Sequence, residues 1–215
     1  MQYISTIKGY NSEWLSKNFF SKNSFNSEKS SSKKRIISEK NIIVTGNTVI
    51  DALFMGLDKI NSGYSGADLE YVKSIIDRTK KIILVTGHRR ENFGEGFEQI
   101  CFALKELSEN QKIQLIYPVH LNPNVQKPVY SLLGNSINIK LIEPLDYPAF
   151  IYLMRASYFI ITDSGGIQEE ATALGKPVLV MRDTTERPEG IEIGSSILVG
   201  TSKLKIVEES NKLLK

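Results

Sequence analysis

The stretch "KIILVTGHRRENFGEGFEQICFALKELSENQKIQLIYPV", Lys81 to Val119, decides the fold. It opens on a short, continuous apolar run that ends at Gly87, as a strand covered on both faces must read. Residues 96–109 follow as an amphipathic helix, and residues 113–119 form a second apolar run. Strand, helix and strand in succession give parallel neighbours joined by a right-handed crossover. Between the first strand and its helix stand a histidine, two arginines, a glutamate and an asparagine, His88 to Asn92. A plain turn does not need that density of polar groups.

Downstream the alternation continues without a break. Helix "NPNVQKPVYSLLG" leads to strand "IKLIEP", helix "PAFIYLMRAS" to strand "YFIITDS", and helix "GGIQEEATALG" to strand "PVLVM". A loop, strand "SILVG" and helix "KLKIVEESNKLLK" close the chain. Upstream, "NIIVTGNTVIDALFMGLDKI" reads as strand, glycine turn and helix. Val49, Ile50, Leu53, Leu57 and Ile60 recur there at helical spacing, and Asn47 or Thr48 can cap the helix. "SGADLEYVKSIIDRTK" is a second amphipathic helix. The expectation is an α/β domain over residues 41–215: a Rossmann-like, three-layer parallel sheet with no internal repeat and no linker.

Residues 1–40 read differently. Ten are serine, and "SKNSFNSEKSSSKKR" has no strand or helix period. Such a low-complexity Ser/Lys-rich tail buries too little surface to offset its ordering entropy and is expected to be disordered. A loose helical turn around Trp14 is the most it offers, and it is poor in arginine for a transit peptide. The tail holds eight Lys and Arg against three Asp and Glu, a net of +5, so a chain of net +3 keeps −2 for everything after Lys40. The globular part therefore carries no electrostatic footprint for nucleic acid. No apolar run approaches the roughly 20 residues that span a bilayer, so no membrane partner is expected. A lone cysteine, Cys101, excludes an internal disulfide and fits a reducing cytoplasm.

In a parallel α/β sheet, ligands bind at the carboxyl ends of the strands. The residues there are "GNT", "GHRREN", "HLNPN", "EPLDY", "DSGG" and "RDTTERPE". Ser164, Gly165 and Gly166 lie where strand becomes helix, and glycines there allow close approach to free amides that suit a diphosphate. Glu170, four residues beyond Gly166, shares its helical face one turn deeper, where a carboxylate accepts from a ribose diol. The same string also reads as a glycine turn with an ordinary acidic first turn. Arg182 and Arg187 follow the next strand, and Arg187 beside Pro188 reads as a guanidinium held at a helix start, suited to phosphate. His88 and His120, the two histidines of the chain, both follow strands and belong at this edge, as ligands or as structural residues. Neither has metal-site spacing, and there is no nucleophile elbow and no GxxxxGK loop.

Taken together, "VTGNTVIDAL", "VTGHRRENFGEGF", "YPVHLNPNV", "EPLDYPAFIYLM", "TDSGGIQEEATALGKPVLVMRDTTERPEG" and "LVGT" strongly resemble the non-hydrolysing UDP-N-acetylglucosamine 2-epimerases. The resemblance runs from about Ile42 to the end and is carried most specifically by "DSGGIQEE" and "GKPVLVMRDTTERPE". It implies a glycosyltransferase-B-type fold, of which this chain matches the C-terminal, UDP-binding half. It implies inversion at C2 of UDP-GlcNAc to give UDP-ManNAc, by elimination and re-addition of UDP, with no cofactor and no metal. By the same resemblance His88 is the active-site histidine near the diphosphate, and Phe150 borders the uracil. Ser164, Gly165 and Gly166 form the diphosphate turn, Glu170 holds the ribose, and Arg187 is the cleft arginine. Arg89 and His120 resemble positions that, in bacterial members, help hold a second, regulatory UDP-GlcNAc.

The departures are equally specific. Leu145 stands where many members have a glutamine, which implies loss of that side-chain contact to uracil. The domain that supplies the acidic residues for proton transfer at C2 has no match in residues 1–40, and the chain stops at "NKLLK", short of the family's last helix. The expectation is a fragment retaining the UDP-binding half and inactive by itself. Full-length relatives are expected to be homodimeric, and a partner chain could supply the other half. The alternative is a non-catalytic UDP or nucleotide-sugar binding module. A related glycosyltransferase is disfavoured by "GHRREN" and "DTTERPE".

Overall fold

The computed structural model describes residues 46–215. The tail and the strand expected at residues 41–44 lie outside the described residues. By contacts the chain falls into two units, residues 1–52 and 53–215. In the first, Gly46 turns with φ +81° and Asn47 caps helix α1 (Thr48–Asn61), its Oδ1 accepting from Val49 N at 3.1 Å. Val49, counted on the apolar face from its spacing, is 43% exposed.

The second unit carries six parallel strands: β1 (Lys81–Thr86), β2 (Ile113–Pro118), β3 (Ile139–Ile142), β4 (Phe159–Thr162), β5 (Val178–Val180) and β6 (Ser196–Leu198). Their order in the sheet is β3-β2-β1-β4-β5-β6, the doubly wound arrangement. The helices are α2 (Ala67–Ile75), α3 (Glu95–Leu107), α4 (Pro123–Leu133), α5 (Tyr147–Ala156), α6 (Gly165–Ala173), α7 (Pro188–Glu192) and α8 (Lys203–Leu214).

Side chains alternate along each strand and divide the core in two. Ile83 and Val85 of β1 join Leu115 and Tyr117 of β2 and Ile161 of β4 against α3, α4 and α8. Ile82 and Leu84 join Ile116, Ile160 and Val180 against the other helical layer, which includes α5 and Leu53, Leu57 and Ile60 of α1. Three layers follow from runs that are apolar on both faces. Gly56 lets α1 approach α5 closely: a Cβ there would stand 2.5 Å from Ile151 Cδ1.

One element boundary needed correction. Helix α2 ends at Ile75, short of the expected Lys80, because buried Gln114 of β2 intercepts its end. Gln114 Oε1 accepts from Asp77 N and its Nε2 donates to Ile75 O, both at 2.8 Å. Asp77 then turns the chain, taking Thr79 N at 3.0 Å and Thr79 Oγ1 at 2.6 Å. The loop before β6 contains α7, started by Pro188.

Candidate functional site

The strand order reverses between β1 and β4, which are neighbours in the sheet with Thr86 opposite Thr162. This is the crevice where doubly wound sheets bind ligands. The two threonine hydroxyls meet at 2.7 Å, and Thr162 Oγ1 accepts from Ser164 N at 3.0 Å, fixing the chain as it leaves β4. Ser164 is the N-cap of α6. Its Oγ accepts from Ile167 N at 3.5 Å, so Gly165 and Gly166 present the free first turn of the helix.

Facing this turn is the loop after β1, held by one buried carboxylate. Asp163 Oδ2 accepts from His88 N at 2.9 Å and Arg89 N at 2.8 Å, with Asn92 Nδ2 at 3.5 Å. Asn92, buried in a 3-10 turn (Arg90–Asn92), also donates to Met181 O at 3.2 Å. Gly87 is closely surrounded: a Cβ would stand 3.1 Å from Met181 Cε and 3.4 Å from the Tyr117 hydroxyl. That hydroxyl donates to Gly87 O at 3.0 Å. His88, on the exposed side of the loop, stacks on His120 from the end of β2, ring centroids 4.9 Å apart.

The third wall follows β5. Buried Arg182 makes a two-pronged pair with Glu186, whose carboxyl that hydrogen bonding pulls down to about 2. Glu91 lies 3.5 Å from Arg182 Nε and 3.2 Å from Arg89, which ties the β1 and β5 loops together. Arg187 is the N-cap residue of α7, its N–H held by Thr185 Oγ1 at 3.1 Å. Its guanidinium pairs with Glu169 and donates to Glu186 O at 3.1 Å. It is fixed at the helix start as the sequence implies, but a phosphate must compete with a carboxylate for it.

A sequence profile of the UDP-N-acetylglucosamine 2-epimerase family matches residues 22–215, reaching back into the segment read as tail. The epimerase of Campylobacter jejuni is 60% identical over 182 residues, which cover 82% of this chain and 47% of that protein. That of Escherichia coli K12 is 55% identical, covering 83% and 48%. Among solved structures, a Neisseria meningitidis UDP-GlcNAc 2-epimerase bound to UDP-GlcNAc superposes with a TM-score of 0.77 at 47% identity, covering 83% of this chain and 48% of that one. An epimerase from Methanocaldococcus jannaschii, in complex with UDP-GlcNAc and UDP, gives 0.71 at 34% identity, covering 83% and 49%.

The chain belongs to the UDP-N-acetylglucosamine 2-epimerase family.

It spans about half the length of the curated epimerases it matches. The fold is one half of the glycosyltransferase-B type expected from the motifs. Within this epimerase half, Glu170 lies one turn into α6 and is 7% exposed. Its carboxyl is pushed up chiefly by burial, while a hydrogen bond from the Tyr147 hydroxyl, at 2.8 Å, pulls the other way. Tyr147, at the start of α5, was not marked by its spacing; only the fold, which sets the start of α5 beside Glu170 across 23 positions of chain, brings the two together. Phe150, one turn further along α5, packs partly buried on the α1-side core, as does Leu145. Asp163 and Gln168 were also missed as site residues. Gln168 Nε2 donates to Ser164 O at 3.2 Å and its Oε1 accepts from Thr185 at 2.8 Å, coupling the glycine turn to the "DTTERPE" loop. The available signal for Asp163 was its charge at the end of an apolar strand.

A cavity of about 530 Å³ opens on the far side of Arg182, between the starts of α3 and α8. Its lining includes Glu95, Gln99, Asp183 and Lys205, and none of His88, Ser164, Glu170 and Arg187. Residues of three epimerase motifs, Glu95 and Gly96, Arg182 and Asp183, and Leu198 to Thr201, contribute to its lining. Among the described residues no cluster of His, Cys, Asp or Glu is arranged to hold a metal ion, and no helix is long and apolar enough to cross a membrane.

Proposed function

We propose that this chain is the UDP-binding half of a UDP-N-acetylglucosamine 2-epimerase. The observation that carries the reading is the turn Ser164–Gly166 facing the Asp163-held loop of His88, with buried Glu170 one turn deeper. The free amides of α6 and the His88 imidazole bind the diphosphate, Glu170 takes the ribose hydroxyls, Phe150 borders the base, and Arg187 reaches phosphate by exchanging Glu169. Arg89 and His120 stand beside them for a second nucleotide sugar.

In the reaction, a carboxylate of the other half removes the C2 proton while the C1–oxygen bond breaks. The bonding electrons leave with UDP and a 2-acetamidoglucal remains. UDP then adds back to C1 as a proton is delivered to the opposite face of C2. This half stabilises the negative charge that develops on the departing diphosphate. The proton transfers belong to the other half. We assign the active unit to the cytoplasm, as a homodimer of two-domain protomers in which this half works with an N-terminal half carried on the same chain or on a partner chain.

Calorimetric titration of the 215-residue chain with UDP, run beside an assay for UDP-ManNAc, tests this. Binding without turnover, and turnover restored by an added N-terminal half, is the expected result. Absence of UDP binding overturns the assignments of Glu170 and Arg187. Turnover by the chain alone overturns the division of labour. Binding that an added half never converts to turnover favours a non-catalytic nucleotide-sugar module.

A further inference from the structure

His88 and His120 lie face to face, their planes within 10° of parallel. The two rings have different neighbours at Nδ1. Asn122 N donates to His120 Nδ1 at 3.1 Å, so a neutral His120 carries its proton on Nε2. His88 Nδ1 instead stands 3.9 Å from Asp163 Oδ1. Asp163 is fully buried, and while Oδ2 takes two backbone N–H groups, Oδ1 has no hydrogen-bond partner among the described residues. A buried carboxylate oxygen without a donor is costly and calls for an explanation. The imidazole of His88 is the group set opposite it, and a small rotation of that half-exposed ring closes the gap to a hydrogen bond.

We propose that Asp163 is a positioning residue for His88: its unpaired Oδ1 keeps the ring proton on Nδ1, leaving Nε2 as the nitrogen offered to a diphosphate oxygen. A second proton, taken up on Nε2 with the anionic ligand, makes that nitrogen the donor. The tautomer stands on geometry alone; its use for diphosphate rests on the function proposed above.

Asp163→Asn separates this role from simple loop placement. The amide oxygen must occupy the Oδ2 position, because two backbone N–H groups point at it. The amide NH2 then faces His88 Nδ1 and drives the ring proton to Nε2. The chain has two histidines, so long-range proton–nitrogen correlation spectra of the 15N-labelled full chain, at a pH where both rings are neutral, resolve each ring, with His120→Gln giving the assignment. The wild type should show opposite tautomers, Nδ1–H for His88 and Nε2–H for His120. Asp163→Asn should switch His88 and leave His120 unchanged. UDP titration should show Asp163→Asn weakening binding about tenfold in the wild-type background and less than about twofold in a His88→Gln background. A wild-type His88 with its proton on Nε2, a tautomer untouched by the substitution, or equal losses in both backgrounds overturns the proposal. If Asp163→Asn does not fold, the wild-type spectrum decides. Correct tautomers in a chain that binds no UDP would sink the proposed function and leave the Asp163–His88 pairing standing.

Discussion

On the function proposed above, Glu170 serves binding at the expense of folding. Its carboxyl is buried, and burial holds it above the ordinary glutamate value of 4.5. The folded form thus keeps its proton better than the unfolded form. The stability this group contributes is fully present below 4.5 and is lost as pH rises through the folded value. Glu170→Gln should therefore raise the melting temperature at neutral pH relative to wild type, with the gain shrinking as pH falls below that window. The same substitution should weaken UDP binding about tenfold, because a ribose hydroxyl loses a charged acceptor. Thermal melts across pH and one titration check both halves; a drop in melting temperature at neutral pH would contradict the burial argument. The Tyr147 hydroxyl can still donate to the new amide oxygen, so the variant keeps that contact.

At the scale of elements, three buried side chains tie strands and helices to neighbouring loops. Gln114 ends α2, Asp163 holds the β1 loop, and Gln168 holds the β5 loop. Gln114→Leu has nearly the right volume and an apolar neighbourhood, yet it strands Asp77 N and Ile75 O. We expect a loss of about 2 kcal/mol in urea unfolding, with faster hydrogen exchange at the end of α2 and unchanged UDP affinity. Unaltered stability would mean that water replaces the glutamine at both groups. The helical stripes of α3 and α8 were legible in the sequence because burial there follows local periodicity. The early end of α2 was not, since its cause lies on a strand 39 positions away.

At the scale of the whole molecule, ligand binding and folding are linked. A ligand that binds only the folded chain at about 100 times its Kd adds about 2.7 kcal/mol to unfolding free energy. UDP should raise the thermal midpoint accordingly if the nucleotide half folds as a unit by itself. UDP that binds calorimetrically without moving the midpoint would mean that the site opens separately from the fold. The chain spans about half the length of the epimerases it matches, and on the function proposed above this half supplies leaving-group stabilisation.

Strand and helix alternation, the three-layer class and the ligand edge follow from the sequence alone, because apolar runs and helical stripes record burial residue by residue. So do the glycine turn at Ser164 and the depth of Glu170, both set by helical spacing. The tertiary structure decided the rest. Asp163 meets the His88 loop across 75 positions of chain only because β4 is inserted beside β1. His120 stacks on His88 because β2 takes the other side, and Arg187 is claimed by Glu169 because α7 packs against α6. Side-chain pairing between distant strand ends depends on strand order, and no local period encodes that order.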